Sequence, residues 1–174
     1  MGEVIEINTV GSDLLIYNKL ISFWESIIKG QVLSTKIEAM DNWQYENIVE
    51  LKSLSDIRGV IEQKIVLIKL KFETHIVGVA IEKQYNKYIV EGWLNSQLEV
   101  DEQRYKEIIN KFISTFRSYK IKSCCIGRET IVDDYYDISE AIEKSHNVDV
   151  WIVRKEEYRE NARKTRPLIV YFDD

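Results

Sequence analysis

Residues 87–126 read KYIVEGWLNSQLEVDEQRYKEIINKFISTFRSYKIKSCCI, and they carry the most regular pattern in the chain. It predicts a strand from Lys87, an amphipathic helix from Asp101 to Tyr119, and a short apolar strand, IKSCCI. Inside the helix, apolar residues recur at spacings of three and four, which places them on one side: Tyr105, Ile108, Ile109, Phe112, Ile113, Phe116 and Tyr119. Asp101 can cap the first free N–H groups, and Glu102 suits the positive end of the helix dipole. We therefore expect one side of this helix to be buried against a sheet.

The length and composition predict one domain covering residues 1–174. A chain of 174 residues can bury a substantial core, and one Pro and seven Gly leave little room for flexible linkers. No apolar run reaches the ~18 residues that a membrane span needs. The beginning, MGEVIEINTV, lacks the basic and apolar regions of a secretory signal. We expect a cytoplasmic protein without a membrane-spanning segment.

The charge pattern favours some partners over others. The net charge is −5 and no block of Lys and Arg interrupts the chain. Nucleic-acid binding is disfavoured, because neutralising phosphates requires clustered basic residues. A basic or amine-bearing partner suits the sign of the charge better. The oligomeric state does not follow from the sequence.

The two cysteines, Cys124 and Cys125, are neighbours in a predicted strand. Adjacent side chains of a strand point to opposite faces, so a disulfide between them is not expected. Two cysteines alone do not make a zinc site, and no metal site is predicted. We interpret both as buried free thiols.

The remaining patterns predict the order of the elements around the central stretch. Alternation predicts a strand over 3–9, and Ser12 and Gly30 are the expected start and stop of a helix. Residues 31–41 show no clear pattern. Two short helical pieces are predicted over 43–52 and 55–64, followed by strands over 65–73 and 76–83 that lead into the Lys87 strand. Later come a helix near 137–145, a strand over 148–153 and a last strand after Pro167. Together these predict an α+β fold with a mixed, mostly antiparallel central sheet flanked by helices.

This order of elements resembles the GNAT-type N-acetyltransferase superfamily over essentially the whole chain. IVGVAI at 76–81 is similar to the family's third strand, and LEVDEQ at 98–103 is similar to the run before its cofactor helix. The resemblance implies a GNAT-like domain that binds acetyl-CoA or another acyl-CoA and holds its pyrophosphate at the beginning of that helix. It also implies an opening between neighbouring strands ahead of the helix. The cofactor residues that it implies are Leu98, Val100, Gln103, Arg104, Tyr105 and Lys106.

Two positions depart from the family's pattern. Lys106 and Ile108 stand where the family has small residues in its Gln/Arg-x-x-Gly-x-Gly/Ala motif. The family's late-helix Tyr, four residues after an Ala, would fall on Ser145 if counted from Ala141. Tyr136, just before that helix, is the candidate to replace it as the general acid. Glu91, which shares a strand face with Trp93, is the candidate base for an amine substrate.

Two further kinds of site, a metal-dependent nuclease centre and a histidine site, are not favoured by the sequence. The elements from Ser55 to Ile126 are also compatible with the core of PD-(D/E)xK nucleases, but Glu82 and Lys83 are adjacent and split across two strand faces, so converging metal ligands are not expected. Neither His75 nor His146 has a partner at motif spacing, and both are interpreted as surface residues. The acidic run 133–137 is interpreted as a helix start.

Two functions remain open. The first is transfer of an acyl group from acyl-CoA to a small amine, with direct attack assisted by Glu91. The second is a non-catalytic binding protein, similar to an immunity or antitoxin protein, that covers a basic surface of a protein partner. The missing small residues, the missing Tyr and the acidic charge favour the second.

Overall fold

The computed structural model describes residues 4–96, 100–119, 121–132, 137–158 and 167–174. Within these residues the strands are β1 (Val4–Gly11), β2 (Ser34–Met40), β3 (Val49–Glu50), β4 (Ile65–Lys71), β5 (His75–Gln84), β6 (Lys87–Ser96), β7 (Ser123–Ile131), β8 (His146–Val153) and β9 (Leu168–Tyr171). The helices are α1 (Ile16–Ile28), α2 (Ile57–Val60, preceded by a 3-10 turn at Leu54–Asp56), α3 (Glu102–Phe116) and α4 (Ile138–Lys144).

The nine strands form one sheet in the order β3-β2-β4-β5-β6-β1-β7-β8-β9. Each pair of neighbours is antiparallel except β8 and β9, which are parallel. The predicted α+β class with a mixed, mostly antiparallel sheet is therefore confirmed. Among the described residues, no helix is long and apolar enough to cross a membrane.

The sheet separates two layers of packing. On its first face, alternate residues of the strands join α1, α2 and α3 in the main core, for example Ile7 of β1 with Trp24 and Phe112. On its second face, α4 packs on β7 and β8 through Ile138, Ala141 and Ile142. This division follows from the strand period of two, which sends successive side chains to opposite faces.

Helix α3 agrees with its prediction. Tyr105, Ile108, Phe112 and Phe116 are buried, and Ile109, Ile113 and Tyr119 pack against the same core. The Asp101 carboxylate accepts a hydrogen bond of 2.7 Å from the backbone N–H of Arg104, as an N-cap residue should. The apolar stripe thus locates both the helix and the face that it buries.

The strands on either side of α3 are not neighbours, contrary to what the resemblance implies. Strand β1 lies between β6 and β7 and pairs with both, from Val4 opposite Asn95 to Gly11 opposite Tyr88, and from Ile5 opposite Arg128 to Val10 opposite Ser123. Within the described residues, the expected opening is therefore filled by β1. Residues 7–11 of β1 are all buried, which suits a strand with neighbours on both sides.

Several local predictions are wrong. Residues 34–40, which had no clear assignment, form β2 and bury Ile37 and Ala39. The helix predicted over 43–52 is a loop that leads into β3, because the apolar residues of this segment are largely exposed and have no core to face. Helix α1 begins at Ile16 without a cap from Ser12. His75 begins β5 instead of lying in a turn.

Candidate functional site

The second face of the sheet carries the residues predicted around Glu91. Glu91 and Trp93 point to this face, since Gly92 between them faces α1, where a Cβ would lie 3.2 Å from the indole nitrogen of Trp24. The predicted sharing of one face by Glu91 and Trp93 is thus confirmed. Across the strand pair, Asn8 lies opposite Glu91 and Glu6 lies opposite Trp93. We call the surface formed by these four residues the Trp93 face.

The Trp93 indole packs against the backbone of the neighbouring strand β5. Gly78 of β5 is directly opposite Trp93, and a Cβ on Gly78 would lie 2.1 Å from two indole carbons. A glycine inside a strand is typical either of a bulge or of a close approach by another group. The pairing from Ile76 to Ile81 is regular on both sides, so the close approach is the correct interpretation. The absent side chain lets the indole cover the sheet.

A cavity of about 250 Å³ opens on the Trp93 face. It is lined by Glu6 and Asn8 of β1, by 91–93 of β6, and by 130–132 at the end of β7. Clefts that bind small molecules typically have ~300–1,000 Å³. The cavity therefore has the size for one side chain or one small group, and its lining combines two carboxylates with an indole.

Hydrogen bonds fix the floor of this cavity. Oε2 of Glu6 accepts bonds from the backbone N–H and the hydroxyl of Thr130, at 2.6 and 2.7 Å. The same hydroxyl accepts a bond of 2.9 Å from the Asn8 amide, whose residue is only 7 % exposed. These contacts link β1 to the end of β7, so that Glu6 has a set orientation.

Two carboxylates, those of Glu6 and Glu91, line the cavity. Beneath it lies the buried thiol of Cys125, 4.0 Å from the Asn8 amide nitrogen. Burial raises the pKa of Cys125 to about 12, a hydrogen bond from Asn8 opposes the rise, and the charges of Glu91 and Glu6 add to it. Both carboxylates thus act on the same small volume. An ammonium or guanidinium group would be attracted there, and an indole beside it adds a cation–π surface.

The predicted cofactor residues lie elsewhere, at the beginning of α3. The N-terminal N–H of Arg104 is already bonded to the Asp101 carboxylate, and Glu102 adds a second negative charge in the first turn. Gln103 and Lys106 are exposed, and Val100 packs against the main core. A phosphate at this position would meet two carboxylates, which oppose the attraction of the helix dipole.

Arg104 and Tyr105 are engaged with the protein itself. The Arg104 guanidinium donates to the Ile27 carbonyl at 2.6 Å and pairs with Glu107 at 3.1 Å. The Tyr105 hydroxyl donates to Asp149 at 2.5 Å, and the Arg128 guanidinium stacks 3.8 Å from the ring centre. Burial and the neighbouring Asp149 carboxylate raise the pKa of Tyr105 well above its ordinary value, while Arg128 opposes this. These contacts tie α3 to α1 and β8.

Among the described residues, the structure does not bring Glu91 together with the predicted cofactor residues of α3. Glu91 points to the second face of the sheet, whereas α3 packs on the first face through Tyr105 and Ile108. Tyr136 and Leu98 lie outside the described residues. The roles of all these residues in acyl transfer stay predictions. Among the described residues, no cluster of three or more His, Cys, Asp or Glu side chains could hold a metal ion.

Three residues of the cavity, Glu6, Asn8 and Thr130, were not predicted from the sequence. Glu6 and Asn8 are polar residues of the alternating segment EVIEINT, and its apolar residues Ile5 and Ile7 are expected on the other face of the strand. Their closeness to Glu91 depends on the pairing of β1 with β6, which is separated from it by about eighty residues and leaves no local signal. Thr130 lies beyond the predicted end of its strand, because β7 extends to Ile131.

Comparisons with known proteins show no family for this chain. No family model matches the chain, and no curated protein matches it. Among solved structures, the chain is similar to the T6SS protein PA0821 of Pseudomonas aeruginosa, with a TM-score of 0.42 and 9 % sequence identity. That match covers 72 % of this chain, and this chain spans 40 % of the length of the other.

Proposed function

We propose that this chain is a non-catalytic binding protein, of the immunity- or antitoxin-like kind, whose Trp93 face engages a basic protein partner. The observation that carries the proposal is the cavity that places the Glu6 and Glu91 carboxylates beside the Trp93 indole. A lysine or arginine side chain from a partner would meet charge and an aromatic surface in one place. The net charge of −5 adds a favourable long-range attraction.

The setting of Trp93 also supports an interface. Trp93 packs with Met40, Ile65, Leu67 and Ala80, a buried cluster that contains no helix residue. Its ring is only partly buried, so part of the indole is available for contact. Trp is among the residues most enriched at the centres of binding energy in protein interfaces. A carboxylate pair around such a residue favours partners with positive charge.

Acyl transfer receives less support from the geometry. Glu91 and the beginning of α3 lie on opposite faces, β1 fills the place of the expected opening, and Asp101 occupies the helix cap. The alternative has a direct test. We expect about 1 mM acetyl-CoA to leave the melting temperature unchanged, because only a ligand that binds the native state raises its stability. A clear rise that is lost in Gln103→Ala would replace the proposal with acyl-CoA binding.

The proposal itself is tested by capturing partners from a native extract with the immobilised chain, purifying the bound protein, and measuring its affinity for variants. We expect a protein with an excess of Lys and Arg. Truncating a central Trp typically costs ~2 kcal/mol or more, so Trp93→Ala should weaken binding about thirtyfold. Glu91→Gln should weaken it less and reduce its dependence on salt.

The matched control is Lys106→Ala, an exposed change on the other side of the sheet, which should bind like the wild type. Circular dichroism and urea unfolding must show that each variant is folded. Equal affinity of the wild type, Trp93→Ala and Glu91→Gln for the captured protein would overturn the proposed use of this face. Capture of no basic protein would overturn the proposed class of partner.

A further inference from the structure

The loop between β2 and β3 exposes an unusual concentration of large apolar side chains. We call residues 41–48 the Trp43 loop. Trp43 is 44 % exposed, Tyr45 54 %, Ile48 48 %, and Val49, the first residue of β3, 49 %. Contiguous exposed apolar groups of this kind mark interaction sites, and Trp and Tyr supply much of the energy in interfaces.

The Trp43 loop is held in one shape by its own hydrogen bonds. The backbone N–H of Asp41 donates to the Glu46 carbonyl at 3.0 Å. The Asn42 amide donates to the Glu46 carboxylate at 2.7 Å, the Asn47 amide donates to Asp41 at 2.6 Å, and Lys64 pairs with Asp41. A loop that is already ordered loses little conformational entropy when a partner binds.

Tyr45 shows that this shape is maintained at a cost. Its φ angle is 62°, and that of Asn47 is 51°, both in the left-handed region. Asn tolerates this region, but a residue with a bulky side chain there costs ~1–3 kcal/mol. The hydrogen bonds around Asp41 and Asn42 offset that cost. Their effect is to project the Tyr45 ring into solvent.

Carboxylates outnumber basic side chains in the segment that forms the loop and β3. Residues 41–50 contain three carboxylates and no Lys or Arg. Lys64 neutralises Asp41, which leaves Glu46 and Glu50. Glu50 lies directly opposite Glu38 on β2, and Lys36 pairs with Glu38 at 2.7 Å. Lys36 lies close to both carboxylates, since the hydrogen bond to Glu38 and the charges of Glu38 and Glu50 all raise the pKa of Lys36. Glu46 and Glu50 are exposed, so a cation from a partner could add to this network from the solvent side.

The loop adjoins the Trp93 face. The Trp43 indole N–H donates to the Glu82 carboxylate at 3.3 Å. Glu82 lies on β5 two residues after Ala80, which is opposite Glu91, so Glu82 and Glu91 point to the same face of the sheet. A single partner that covers the Trp93 face can therefore reach the Trp43 loop.

We propose that the Trp43 loop is a second docking surface for the basic partner of the Trp93 face, with Trp43 and Tyr45 as apolar anchors and Glu46 and Glu50 as acceptors for Lys or Arg. This inference rests on the proposed function, since it takes the same partner. It adds a second contact region for that partner, at the edge of the sheet that β3 forms. The partner's contact region must then contain apolar groups flanked by Lys or Arg.

The test uses the purified protein captured by the wild-type chain and compares Tyr45→Ala with Leu168→Ala. Leu168 is 56 % exposed but lies on β9, at the opposite edge of the sheet. We expect Tyr45→Ala to weaken binding tenfold or more and Leu168→Ala to leave it unchanged. Tyr45→Gly, which suits the left-handed backbone, separates loss of the ring from loss of loop shape and should weaken binding as much as Tyr45→Ala.

A separate variant, Glu50→Gln, tests how much charge contributes to binding. Glu50→Gln should weaken binding and lower its salt dependence, whereas Glu143→Gln on α4 should change neither. If Tyr45 variants bind like the wild type while Trp93→Ala binds weakly, the docking role of the loop is wrong and the proposed function stands. If Trp93→Ala also binds normally, or if no basic partner is captured, both proposals fail.

Discussion

The Trp93 indole lies against Gly78 so closely that a Cβ on Gly78 would be 2.1 Å from the indole carbons Cε2 and Cζ2. This contact between β5 and β6 sets the position of the indole on the face that we assign to partner binding. It also explains why a glycine stands inside the apolar run IVGVAI of β5. Position 78 therefore needs a glycine to leave room for the Trp93 indole, and not because the backbone has a conformation that requires glycine.

Gly78→Ala should displace the Trp93 ring and destabilise the fold. Forcing an extra methyl group into a filled site typically costs ~1–3 kcal/mol. We expect a lower urea midpoint and a shifted tryptophan emission spectrum. Gly59→Ala in α2 is the control, because a Cβ there meets no atom within 4 Å. It should be neutral or slightly stabilising, by ~0.5–1 kcal/mol. Gly78→Ala with wild-type stability and emission would contradict the described contact.

Asp101→Ala should destabilise α3 by removing the side chain that accepts the Arg104 N–H. Loss of an N-cap of this kind costs ~1 kcal/mol. Urea unfolding followed by circular dichroism measures the change. Asp101→Ser keeps a capping oxygen and should recover most of the lost stability. If both variants unfold at the same urea concentration as the wild type, the Asp101 carboxylate contributes nothing to the helix.

The central helix was predictable because its information is local. The spacing of Tyr105, Ile108, Phe112 and Phe116 and the cap at Asp101 are properties of twenty consecutive residues. The class of sheet followed similarly from alternating and apolar runs. The order of the strands did not follow, because the insertion of β1 between β6 and β7 is a contact between distant segments. The resemblance supplied a different arrangement, in which neighbouring strands part ahead of the helix.

Only part of the candidate site could be predicted, because only part of it depends on local sequence. Glu91 and Trp93 share a face through the strand period alone. Glu6 and Thr130 join them only through tertiary pairing. Residues 43–52, which include most of the Trp43 loop, were predicted as a short helical piece, whereas the structure has a loop that leads into β3. Their exposure in the structure shows that an apolar pattern locates a core only when another element covers it.

Cys124 and Cys125 should be unreactive in the native protein. Both are free and 0 % exposed, with one thiol facing the main core and the other facing α4. Burial raises the pKa of both thiols, so neither forms a thiolate near neutral pH. A thiol reagent should label no cysteine in buffer and both cysteines in urea. Rapid labelling of one thiol without denaturant would indicate local opening of β7.

Tyr105 should make stability depend on pH in the alkaline range. Burial, followed by the hydrogen bond to Asp149, raises the pKa of Tyr105 above its ordinary value of 10.0. The folded state therefore holds this proton more tightly than the unfolded chain. The resulting stability is complete below the unfolded pKa and is lost as pH rises beyond it, because the unfolded chain ionises first. At neutral pH, Tyr105→Phe should cost about 1.5 kcal/mol, as expected for a hydrogen bond to a charged group.

Urea unfolding of the wild type and Tyr105→Phe between about pH 7 and pH 11, the range that spans the ordinary Tyr pKa, isolates this contribution from other alkaline titrations. The difference in free energy of unfolding between the two proteins should stay constant up to about pH 9 and then shrink, because Phe has no proton to lose. Asp149→Asn keeps a hydrogen-bond acceptor without the charge. When Tyr105→Phe is made in the Asp149→Asn protein, the difference in free energy of unfolding that it causes should shrink less steeply with pH. A difference that stays constant to the alkaline limit would mean that the Tyr105 hydroxyl is as acidic in the folded protein as in the unfolded chain, and would contradict the contact with Asp149.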